Sequence, residues 1–126
     1  MLSVYIDNSG SMYEMDKIEV AKYVAYAIPN ATFCLLNGEQ IKLDSIILNN
    51  DNNLCIGTEG RKILLSDGLF DCDEKKFDIA LAIGLDADIK ALKKMAEEVY
   101  TTDNILMFLE SININLLTND EDSSWE

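Results

Sequence analysis

Leu2-Ser3-Val4-Tyr5-Ile6 runs directly into Asp7-Asn8-Ser9-Gly10-Ser11-Met12, and the reading of this stretch decides the fold. A β-branched and aromatic run bounded by polar residues and a glycine reads as a strand over 2–7 with a loop at its carboxyl end. Open α/β sheets place their ligands in such loops. One carboxylate and two hydroxyls form an oxygen-only set, which suits a hard divalent cation, magnesium or manganese above all. Asp and Ser also satisfy the free N–H groups at a helix start, so a helix-capping loop is the competing reading. A phosphate cradle is a third, although the lysine and glycine spacing of a P-loop are missing. Farther on, Ser66-Asp67-Gly68 follows the apolar run Ile63-Leu64-Leu65. A second strand-end carboxylate at Asp67 is what a two-loop oxygen site needs and a simple cap does not.

The flanking pattern is that of a doubly wound α/β fold. Ile18, Ala21, Val24, Ala25 and Ile28 recur on one helical face, predicting a helix from about Met15 to Ile28 that Pro29 ends. Strands are expected at 31–36 and 41–48, joined by a hairpin at Asn37-Gly38, which makes the third strand antiparallel to its neighbour. Asn49 to Asn53 is a polar loop leading to Leu54-Cys55-Ile56. Further strands are expected at 62–66 and 77–83, giving a mostly parallel sheet of about five strands with one antiparallel edge strand. Gly84 and Asp88 introduce a helix from about Ile89 to Tyr100. Thr101-Thr102-Asp103 caps a last helix carrying Ile105, Phe108, Leu109, Ile112 and Leu116 on one face. Residues 1–117 form one domain; residues 118–126 are an acidic, polar tail with one exposed aromatic, Trp125.

Asp7-x-Ser9-x-Ser11 at the end of a first strand resembles the metal-ion-dependent adhesion site of von Willebrand factor A domains. In that family the metal also takes a threonine from a second loop and an aspartate from a third, and Thr58 and Asp67 stand here in that order. Ala82-Ile83-Gly84-Leu85-Asp86-Ala87-Asp88 with its following helix is similar to the late part of small bacterial members, including those encoded beside tellurite-resistance genes. The resemblance covers roughly residues 1–117 and implies a minimal, Rossmann-like version of the family fold. It implies Mg²⁺, with Mn²⁺ or Ca²⁺ equally served by such oxygens, held directly by Ser9 and Ser11. Thr58 would ligate directly or through water, and Asp7 and Asp67 would hold metal-bound waters. The implied function is metal-dependent protein binding, with an open coordination position taking an Asp or Glu of a partner. Glu59-Gly60-Arg61-Lys62 leads straight into Ile63 where the family has a helix, so an ordinary turn is the other reading of Thr58.

Composition narrows the classes further. The chain has 126 residues, 48% hydrophobic, with ten basic against twenty-three acidic side chains and a net charge of −13. That charge repels nucleic acid and anionic membrane surfaces, so neither is an expected partner. Histidine is absent, which removes Ser-His-Asp and Cys-His catalysis and histidine metal ligation. The three cysteines, Cys34, Cys55 and Cys72, have no Cys-x-x-Cys spacing and read as reduced thiols. No apolar stretch reaches the roughly 20 residues of a membrane span. The start has no signal-peptide pattern, and a cytoplasmic home follows as the default. Glu14, Asp71, Asp73 and Glu74 lie close to the two motif loops, where they raise cation affinity or simply form a solvated face.

No enzyme activity is expected, because no basic residue stands near the motif to steady a phosphate and position 9 is not a second acid. A Mg²⁺-dependent phosphoryl hydrolase is therefore a minor alternative. A metal-free scaffold or oligomerisation module is the larger one. Short connections between the third, fourth and fifth strands predict a thinly covered sheet face, which a second copy or another protein would cover.

Overall fold

A computed structural model of the chain describes residues 2–45, 56, 60–69 and 74–112. Its centre is a six-stranded sheet in the order β3-β2-β1-β4-β5-β6. The strands are β1 (Leu2–Ile6), β2 (Ala31–Leu35), β3 (Gln40–Ile41), β4 (Arg61–Ser66), β5 (Phe77–Ala82) and β6 (Ala96–Thr101). All neighbours run parallel except β2 and β3, so the sheet is α/β, mostly parallel, with one antiparallel edge strand, an arrangement compatible with a Rossmann-like fold. Apolar residues fill most of the buried positions of β1, β4 and β5 because a parallel sheet buries both faces. Ile63, Leu64 and Leu65 are fully buried, each worth about 1.5–3 kcal/mol of transfer free energy.

Two layers cover the sheet. Helix α1 (Lys17–Tyr26) and helix α3 (105–112) lie on one face, where Ile18, Ala21, Val24, Phe108 and Ile112 pack on Val4, Ile6, Leu65 and Leu81. Helix α2 (Ile89–Met95) lies on the other, with Leu92 and Met95 against Tyr5, Leu64 and Ala80. The apolar side chains of this second face are buried within the chain, Tyr5 at 5% and Leu64 at 0% exposure. On the face where the short connections predict thin cover, the described cover is the seven-residue helix α2, and the apolar side chains named are buried beneath it.

Several boundaries differ from the sequence reading, each for a physical reason. The sixth strand was expected as the second half of a helix running to Tyr100. Helix α2 instead stops at Met95, and Ala96 turns extended (φ −131°, ψ 149°). Val99-Tyr100-Thr101 suits a strand better than a helix, and pairing there closes the free edge of β5 over Phe77–Ala82. Glu97 and Glu98 then mark the new edge with exposed charge. Helix α1 begins at Lys17 rather than Met15, because Met15 (φ 55°) and Asp16 (φ 58°) are both left-handed. Gly10–Asp16 forms 3₁₀ turns broken at Glu14 and Met15. The third strand is only Gln40–Ile41 and gives way to a 3₁₀ turn at Leu43–Ser45. The Asn37-Gly38 hairpin is present, with Gly38 at φ 90° and the Asn37 side chain accepting from Glu39 N–H. Residues 46–48, the 49–53 loop, Cys55, Thr58, Cys72, Asp71, Asp73, Leu116 and the 118–126 tail lie outside the described residues. Among those described, Cys34 is a free, buried thiol.

Candidate functional site at the carboxyl ends of β1 and β4

The chain leaves β1 toward β2 and leaves β4 toward β5, so the loops after these two adjacent strands diverge. Such a switch point opens a crevice at the carboxyl edge of the sheet. Parallel pairing sets Ile6 beside Leu65, and Asp7 N–H donates to the Leu65 carbonyl at 3.0 Å. Asp7 and Asp67 therefore end neighbouring strands, and both are fully buried.

Neutral donors hold the first carboxylate. Ser9 N–H donates to Asp7 Oδ1 at 2.9 Å, and the Ser66 hydroxyl donates to Oδ2 at 2.7 Å. Ser66 Oγ in turn accepts from Gly68 N–H at 2.9 Å, tying the two loops together. Burial pushes the Asp7 pKa up, and the nearby Asp67 charge adds to that rise, while the bonds from Ser9 and Ser66 oppose it. The half-buried Ser9 and Ser11 hydroxyls lie 3.4 Å apart.

A lysine holds the second carboxylate. The Lys17 side chain is 1% exposed, and its ammonium lies 3.1 Å from Asp67 Oδ2 and 2.7 Å from Asp86 Oδ1. Asp86 Oδ2 also accepts from it at 2.9 Å. Burial alone would lower the Lys17 pKa, but the bonds to Asp86 and Asp67 outweigh it and hold the ammonium above the ordinary lysine range. The same bond holds Asp86 below the usual carboxylate range. Asp67 Oδ1 accepts from Leu69 N–H at 3.1 Å.

Local backbone explains this placement. The paired left-handed residues Met15 and Asp16 redirect the chain before α1, so its first residue faces inward with Ile18 and Ala21. Gly84 (φ 94°) leaves the space for the lysine stem, since a Cβ there would lie 2.8 Å from Lys17 Cε. Gly68 (φ 76°) lets the Asp67 loop reach α2, where a Cβ would meet the Asp88 carbonyl at 2.7 Å. Asp88 caps α2 as expected, its side chain accepting from Ala91 N–H at 3.0 Å.

Four of the five expected site residues, Asp7, Ser9, Ser11 and Asp67, are described and cluster at this edge. Thr58 lies outside the described residues. Three participants were not foreseen: Ser66, Lys17 and Asp86. The sequence predicts no basic residue near the motif; the structure places Lys17 there, against Asp67. A signal existed, for Lys17 shares the helical stripe of Ala21, Val24 and Ala25 by the i, i+4, i+7 rule. Being buried between two carboxylates, this lysine is not free to bind a phosphate.

The donor set fits a hard cation in its first half. Adjacent ligand oxygens on an octahedral Mg²⁺ lie about 3 Å apart, close to the Ser9–Ser11 separation, and Asp7 stands behind them with a buried negative charge. The second half carries its own positive charge. Among the described residues no group of three or more His, Cys, Asp or Glu side chains is placed to hold a metal ion, so the hydroxyls are essential to any such site. The chain matches no protein-family model, no curated protein and no solved structure. No helix among the described residues is long and apolar enough to cross a membrane.

Proposed function

We propose that this chain is a metal-dependent protein-interaction domain of von Willebrand factor A type, acting without catalysis. The observation that carries the reading is the meeting of Asp7 and Asp67 at the β1/β4 switch point with the Ser9 and Ser11 hydroxyls side by side. Ser9 and Ser11 would hold Mg²⁺, or Mn²⁺ or Ca²⁺, directly. Asp7 and Asp67 would fix its waters, and Thr58 would be a further donor, directly or through water. When bound, the cation supplies a positive centre for an Asp or Glu of a partner protein. Ser9 and Ser11 are neutral, so they leave that charge undiminished. Exposed Met15, Leu69 and Leu85 lie one or two positions from Lys17, Asp67 and Asp86 and offer a partner apolar contacts around a charged centre.

The reading is tested by calorimetric titration of chelator-stripped protein with Mg²⁺ and Mn²⁺. Saturable binding is expected in the native chain and none in Asp7→Ala, whose circular dichroism should stay native. Partner capture that survives both chelator and Asp7→Ala would overturn the metal bridge.

A second reading, a metal-free scaffold, draws on a specific observation. Lys17 already neutralises Asp67, and no buried side-chain nitrogen or oxygen among the described residues lacks a hydrogen-bond partner. In that case the protein would bind its partners equally well in chelator.

A further inference from the structure

Lys17, held at the sheet edge by Asp67 and Asp86, is not used by the proposed metal-dependent function, and its surroundings define what it does. Its ammonium bridges a fully buried carboxylate, Asp67, and one that is 46% exposed, Asp86. The bridge is uneven. Both oxygens of Asp86 contact the ammonium, at 2.7 and 2.9 Å, whereas Asp67 offers one at 3.1 Å. Asp67 is also the carboxylate that the cation site would need. A lysine and a divalent ion near one buried carboxylate repel each other, so each weakens the other's hold.

We infer that Lys17 is a tethered counter-cation that competes with the divalent ion for Asp67, with Asp86 as the partner that keeps the ammonium neutralised when Asp67 is released. This rests on the proposed metal-dependent function and adds to it a residue that sets the cation affinity. Three features give the lysine a fixed place rather than a passing contact. It is the first residue of α1, aimed by the two left-handed residues before it. Its stem passes against Gly84, where any side chain would collide with it. Gly84 and Asp86 belong to one short loop between β5 and α2, so the space and the second carboxylate come from the same segment. Exchange then needs no large movement, since the ammonium is already in contact with the carboxylate that would retain it.

The test is calorimetric titration with Mg²⁺ of the full chain, Lys17→Met, Asp86→Asn and a matched charge loss, Lys22→Met, on the outer part of α1. Lys17→Met should bind about tenfold tighter or better, because an opposing charge near the site is removed. Asp86→Asn should bind several-fold more weakly, because the lysine then depends on Asp67 alone; Lys22→Met should stay within about twofold. In the native chain the Lys17 ¹⁵Nζ resonance should shift along the same saturation curve, which a purely structural lysine would not do. Should Lys17→Met fail to fold, Asp86→Asn and the resonance still decide. Saturable binding of equal strength in all four proteins, with an unmoved resonance, overturns the lysine's role and leaves the metal reading standing. Binding by Lys17→Met alone supports the competition and assigns the native chain to the metal-free state. No binding by any of them overturns both.

Discussion

The two buried carboxylates at this edge are neutralised by opposite means. Among the described residues Asp7 receives only neutral donors, and one of them, Ser9 N–H, comes from two residues away. Asp67 receives a full positive charge from a residue fifty positions distant, which is shared with Asp86, sixty-nine away from the lysine. The Asp7 half keeps a negative charge beside two hydroxyls; in the Asp67 half one ammonium is shared between two carboxylates. On the proposed reading, a cation would be drawn by the first half and resisted by the second: the local half would supply the oxygens and the long-range half would set the affinity.

The largest effect expected is on the Asp67 side. Lys17→Met removes the only positive partner described for a carboxylate with no exposure, and breaking such a buried pair costs about 3–5 kcal/mol. Urea unfolding in chelator should show that loss, and Mg²⁺ should restore part of it. A loss of under about 1 kcal/mol would mean that water reaches Asp67 and that the two halves are alike. Gly84→Ala comes next, at about 1–2 kcal/mol, because it combines a left-handed backbone with a Cβ 2.8 Å from the lysine stem. If its cost vanishes in the Lys17→Met background, the two changes act through one contact; additive costs would separate them.

This asymmetry also explains what could be read from the chain. Asp7, Ser9 and Ser11 are spaced by two, and Asp67 follows its own apolar strand, so strand ends and oxygen donors were legible together. The antiparallel edge strand was legible as well, through the Asn37-Gly38 hairpin, whereas the strand order that sets β4 beside β1 was not. The pairing of Lys17 with Asp86 was not legible either, because it depends on the β5–α2 loop folding over the start of α1. No local spacing encodes that contact. The sixth strand was hidden for a related reason: Ile89, Leu92, Ala96 and Val99 keep helical spacing, and only the unpaired edge of β5 makes the strand the better use of Val99-Tyr100-Thr101. The left-handed pair at Met15 and Asp16 has no glycine to announce it.

The smallest effect should fall on the Asp7 side and run in the opposite direction. Burial, aided by the Asp67 charge, raises the Asp7 pKa, so the folded state holds that proton more tightly than the unfolded chain does. Its stabilising contribution is complete below the unfolded pKa of about 4 and is lost as pH rises through the raised folded value. Asn has the same shape and carries no charge. Its oxygen can accept from Ser9 N–H and its amide can donate to Ser66 Oγ, which accepts as well as donates. In chelator, Asp7→Asn should therefore be more stable than the native chain at pH 7, with the gain shrinking toward pH 4. Urea midpoints across that range read it directly. With Mg²⁺ present the order should reverse, because only the native chain keeps the charge that draws the ion. A gain independent of pH would mean that the donors from Ser9 and Ser66 already offset the burial of Asp7. The charge that is proposed to attract the cation would then be much weaker than its position suggests.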